Sequence, residues 1–128
     1  MLGVAASKVS EGADVHFHPG DAGRPPLPAG AFDAVVTRHV LWALPDPVAA
    51  LRAWRGLLAP GGRVVLVEGR WATGAGLTAQ DAARLLLHAG YHRVVEEPLV
   101  DPGYWGGAVE DERYVLVARP NENPPARA

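Results

Sequence analysis

No cysteine occurs in the 128 residues. Disulfides and thiolate metal sites are therefore excluded, and a reducing, cytoplasmic setting is the expected one. Lysine is nearly absent as well: Lys8 stands alone and the other basic residues are arginines, scattered among acids to a net charge of −2. Without a basic stripe, no nucleic-acid partner is expected. No stretch approaches the roughly 20 apolar residues of a membrane span, so no membrane partner is expected either. Met1 to Gly12 lacks a basic segment followed by an apolar core, so it does not read as a secretory leader. There is no internal repeat. His16 and His18 share one side of an alternating stretch, but two imidazoles without a third ligand define no metal site.

What is present reads as one α/β domain. Hydrophobic residues make up 48% of the chain, enough for a core at this length. Leu2, Ala5, Ala6 and Val9 recur at helical spacing and predict a short helix ending near Gly12. Val15-His16-Phe17-His18 alternates and predicts a short strand closed by Pro19 and Gly20. Gly23 to Gly30 carries three prolines and reads as loop. Phe32 to Thr37 predicts the next strand. Asp46 is placed to cap a helix running to about Ala59, with Pro47 at its first position. Pro60-Gly61-Gly62 then turns the chain into Val64 to Val67, an apolar run without polar alternation, as in a parallel strand covered on both faces. Thr78 with Asp81 predicts a second capped helix, with Ala82, Leu85, Leu86 and Ala89 as its apolar stripe and Gly90 at its end. Tyr91 to Glu97 and Arg113 to Ala118 predict two further strands joined by a loop. The domain is expected to span residues 1–120, with 121–128 as a flexible tail.

In sheets of this type, ligands sit beyond the carboxyl ends of the strands. Three clusters qualify: Asp21, Thr37-Arg38-His39 and Glu68-Gly69-Arg70. Asp21 with the N–H of Ala22 can pair with an exocyclic amine and its ring nitrogen; a turn aspartate capping its own backbone is the alternative. His39 is either a general base or a wall residue. Trp42 lines a pocket or belongs to the core. Glu68 faces the substrate or is a surface acid. Asp33 begins its strand at the end away from any ligand and reads as structural.

The ordered set Gly20-Asp21-Ala22, Phe32-Asp33-Ala34-Val35-Val36, His39 to Pro47, Pro60-Gly61-Gly62 and Tyr114 to Pro120 resembles the class I S-adenosylmethionine-dependent methyltransferases of the small-molecule, type 11-like kind. The resemblance runs from about Leu2 to Pro120. It matches the family from its second helix onward; nothing matches the first strand, its Gly-x-Gly-x-Gly loop, the first helix or the second strand. An amino-terminally truncated Rossmann-like sheet lacking its first two strands is therefore the implied fold. The implied activity is methyl transfer from S-adenosylmethionine to a small molecule. Asp21 and Ala22 would meet the adenine, and Thr37, Arg38 and Trp42 would lie against the rest of the cofactor, with His39 as the candidate catalytic residue. The family's sheet order is third, second, first, fourth, fifth, seventh, sixth strand. Without the first two, the fourth becomes an apolar edge, which suggests a homodimer. The alternative is a non-catalytic module that uses this edge to bind a partner.

Overall fold

The computed structural model describes residues 14–99 and 111–121. Their order is β1 (Phe32–Arg38), a 3-10 turn (Leu41–Ala43), α1 (Pro47–Leu57), β2 (Leu58–Arg70), α2 (Ala79–His88), β3 (Tyr91–Pro98) and β4 (Glu112–Pro120). The helix expected at Leu2 to Val9 lies outside the described residues, as do most of the loop before β4 and nearly all of the tail.

Local chemistry sets the helix starts. The Asp46 carboxylate accepts the amide of Ala49 at 3.0 Å, and Pro47 fills the first position, where an N–H would go unused. At α2 the Thr78 hydroxyl accepts from Asp81 N at 3.1 Å, and Glu112 of β4 accepts from Ala79 N at 2.8 Å. A strand residue thus caps a helix and fixes α2 against the sheet.

Within the described residues the sheet order is β1-β2-β4-β3. β1 and β2 are parallel; β4 is antiparallel to both its neighbours. These strands take the places of the family's fourth, fifth, seventh and sixth. Pro60-Gly61-Gly62, expected as a turn ahead of the strand, lies inside β2. Between Phe32↔Leu58 and Ala34↔Arg63 the register shifts, and Gly61 there has φ +80, in the left-handed region that favours glycine.

Val15-His16-Phe17-His18 forms no strand. It is irregular and exposed, with Val15 at 48% and Phe17 at 37% accessibility. Alternation is a local property, whereas a strand needs a ladder partner, and none of the described residues supplies one. His16 instead meets Asp14 at 3.0 Å.

Both helices contact the sheet and each other, so they share one face. Val64 and Leu66 point into that core, with Leu41, Leu51, Trp54, Leu86 and Leu116. Each such leucine contributes about 2 kcal/mol relative to exposure. Val65 and Val67, on the other face, are half-buried. The expected cover on both faces is thus provided, by the described helices, on one.

Candidate functional site

β1 and β2 end side by side, and both chains continue past the sheet at the same end. His39 N donates to Val67 O at 2.9 Å, extending the ladder by one residue beyond β1. His39 itself has φ +54, uncommon for a residue with a side chain. Such strain clusters at functional sites.

Glu68 explains how the following segment is held. It is fully buried, and its Oε1 accepts the amide of Leu41 at 2.9 Å. The amides of Val40 and Trp42 lie close enough to favour the charged carboxylate, although Oε2 makes no hydrogen bond of ordinary geometry. The Leu41 bond has defined geometry and anchors the segment. Burial raises the Glu68 pKa above the usual glutamate range, and those amides oppose the rise. Of the two sequence readings, neither holds: the carboxylate meets neither substrate space nor solvent but fastens the 3-10 turn onto β2.

Past β2 the chain folds into a fixed loop. Trp71 N donates to Ala75 O and Gly74 N to Trp71 O, both at 2.8 Å. Ala72 N donates to Asp111 at 2.8 Å, and Tyr114 Oη donates to Leu77 O at 2.8 Å. Gly76 has φ +99, and a Cβ there would collide with the Trp71 ring and the carbonyl of Gly69. Only glycine lets the loop fold this tightly. The loop sets Trp71 edge-on to His39, with ring centres 4.8 Å apart and planes at 83°. The Arg113 guanidinium lies 5.0 Å from the Trp71 ring centre.

Two of the cavities among the described residues take in side chains of this region. One, of about 380 Å³, runs along the outer edge of β1 and is lined by Ala22, Thr37 and Arg38 among mostly apolar residues. The Thr37 hydroxyl is buried without a hydrogen-bond partner among the described residues. An orphaned donor of this kind awaits a polar group. The other, of about 320 Å³, is lined by His39, Trp42, Trp71, Thr73 and Ala75. Trp42 is 42% exposed, so it belongs to this pocket and not to the core.

The six residues singled out in the sequence are thus divided. Ala22, Thr37 and Arg38 meet in the first cavity; His39 and Trp42 meet in the second. Asp21 lines neither: its carboxylate accepts Gly23 N at 2.8 Å, closing an exposed turn. That turn is pinned to α1 by Trp54 Nε1, which donates to Ala22 O at 2.7 Å. Burial, then Arg38, then Arg113 lower the His39 pKa, so the imidazole is neutral at neutral pH. Sequence reasoning missed Trp71 and Arg113, which no local motif marks.

This geometry has counterparts. Residues 1–66 match the family model described as a methyltransferase domain, and the chain belongs to that family. Solved structures share the fold. The trans-methyltransferase CalH, in complex with SAH, is 22% identical with a TM-score of 0.73; the match covers 93% of this chain and 40% of that one. The 1,6-didemethyltoxoflavin-N1-methyltransferase of Burkholderia thailandensis, with bound 1,6-didemethyltoxoflavin and S-adenosylhomocysteine, is 20% identical with a TM-score of 0.69, covering 94% and 56%. The [4+2]-cyclase SpnF is 21% identical with a TM-score of 0.67, covering 84% and 56%. The chain therefore spans about half the length of these structures. A sequence comparison with curated proteins gives no match. The class is a class I, Rossmann-like methyltransferase domain.

Proposed function

We propose that this chain supplies the acceptor side of an S-adenosylmethionine-dependent methyltransferase acting on a small molecule. The observation that carries the reading is that the Thr37-Arg38-His39 segment contributes to two cavities, Thr37 and Arg38 to the one along β1 and His39 to the one past the strand ends. The residues present fit the cofactor in part. Ala22, Thr37 and Arg38 would hold it in the first cavity, with the Thr37 hydroxyl offering an unused donor, and Asp21 would need a carboxylate oxygen beyond the one tied to Gly23. The cofactor would supply an electrophilic methyl group. Trp42 and Trp71 would orient the acceptor, excluding water from one side, and holding it in line is itself a large source of rate. Neutral His39 would take the acceptor's proton or hydrogen-bond it.

The fold alone does not fix the reaction, since the [4+2]-cyclase SpnF shares it. The test is transfer of labelled methyl from S-adenosylmethionine to a panel of small acceptors. The chain would be extended at its amino end by the family's first strand, glycine-rich loop, first helix and second strand. Transfer that drops about a hundredfold in His39→Gln makes the imidazole a base. A drop of less than about tenfold, with an unchanged pH profile, leaves it a pocket wall, the outcome we expect. No transfer to any acceptor by a folded, cofactor-binding protein overturns the reading.

A further inference from the structure

We propose that the His39–Trp42–Trp71 cavity is a binding site for a planar aromatic ligand of one or two rings that carries an acidic hydroxyl, with the ring against the tryptophans and the hydroxyl toward His39. Calling this ligand the methyl acceptor rests on the reading above; the binding itself does not.

Shape comes first. Three of the five lining side chains are flat rings, and the cavity of about 320 Å³ sits at the low end of the ~300–1,000 Å³ range of small-molecule sites. Trp42 is 42% exposed, so much of its apolar ring is open to a ligand. Preorganisation follows. Trp71 is held by its loop's own backbone bonds and by Tyr114, and the Trp42 backbone by the turn anchored on Glu68. The walls therefore exist before any ligand arrives.

Charge selects among planar ligands. Aromatic faces alone would also suit a quaternary ammonium. Here, though, no carboxylate lines the cavity among the described residues, and the charges that bear on His39 are the cations Arg38 and Arg113. Of the acids on the adjoining elements, Glu68 is buried and turned onto the amides of the Leu41 turn, and Asp111 is occupied by Arg113 at 3.5 Å and by Ala72 N. A cationic ligand meets repulsion; a hydroxyl that shares or loses its proton meets stabilisation. The lowered pKa of His39 agrees, since a neutral imidazole can accept that hydrogen bond.

The experiment titrates the 128-residue chain with three probes: 2-naphthol, 2-methoxynaphthalene and trimethylphenylammonium. Binding is read from the indole N–H signals of Trp42 and Trp71 by NMR, assigned with phenylalanine replacements. Trp54, 2% exposed and bonded to Ala22, serves as the unmoved control. The naphthol is expected to shift both signals saturably and to bind about five- to tenfold tighter than its methyl ether, the factor that one hydrogen bond is worth. The ammonium is expected to bind weakest. His39→Gln should narrow the gap between naphthol and ether, and Trp42→Ala, at an exposed position, should weaken both. Equal affinities, preference for the ammonium, or absence of a saturable shift overturns the proposal. Methyl transfer by the extended protein without naphthol binding overturns only this inference; naphthol binding by a folded extended protein that binds no cofactor overturns only the transferase reading.

Discussion

Replacing Glu68 should separate what its carboxylate does from what its charge costs. In Glu68→Ala the Leu41 amide, bonded at 2.9 Å in a fully buried place, loses its acceptor. An unsatisfied buried donor costs about 1–3 kcal/mol. The two buried methylenes add about 0.8 kcal/mol each. Relief of the buried charge offsets part of this, leaving about 3 kcal/mol. At roughly 4 °C per kcal/mol for a chain of this size, the melting temperature should fall by about 12 °C. Glu68→Gln keeps an acceptor for Leu41 and removes the charge. Its effect should depend on pH, and the sign follows from burial. A carboxyl whose pKa is raised on folding binds its proton more tightly folded than unfolded. Its stability contribution is then fullest at pH below the ordinary glutamate value and is lost as pH rises through the raised folded value. The wild type should thus lose stability relative to Glu68→Gln between pH 4 and neutrality. Melts followed by circular dichroism over that range, with amide exchange at Leu41, provide the assay. A Glu68→Ala melt within about 2 °C of wild type, or a Gln–wild-type gap that ignores pH, would refute the anchoring role.

Other outcomes follow from the same geometry. In the extended protein, Asp21→Ala should weaken cofactor binding by about 0.5–1.5 kcal/mol if the carboxylate reaches the adenine amine; unchanged affinity in a calorimetric titration leaves it the turn residue that its bond to Gly23 describes. Trp54→Phe removes the indole N–H bonded to Ala22 O at 2.7 Å and should lower stability by about 0.5–1.5 kcal/mol, measured by urea melts; no measurable loss would show that α1 does not depend on this bond. β1 presents Val36, 65% exposed, at an edge unpaired among the described residues, so light scattering should give twice the 13.5 kDa monomer mass; a monodisperse monomer with a cooperative melt would refute edge pairing.

Where the sequence spoke locally, it could be read. Asp46-Pro47 and Thr78 with Asp81 start their helices by bonds within one turn, and the cap chemistry sits in adjacent residues. The apolar runs of β2 and β4 find each other because little else buries them. The strand-end rule brought out Thr37, Arg38 and His39 without knowledge of any contact. Val15 to His18 failed for the opposite reason: its alternation says which side is apolar, and only a neighbouring strand turns that into structure. Glu68 was ambiguous because its partner amide lies 27 residues earlier, on a segment whose path the sequence does not draw. Trp71 was invisible because its position depends on Gly76, Asp111 and Tyr114 together.

The central claim is that this chain carries half of a cofactor site and the acceptor pocket beside it. Calorimetry with S-adenosylmethionine on two proteins tests it: the 128-residue chain, and the same chain extended by the family's first two strands, glycine-rich loop and first helix. The account predicts no binding short of millimolar ligand for the first and a micromolar dissociation constant for the second. Micromolar binding by the chain alone, or none by a folded extended protein, would contradict it.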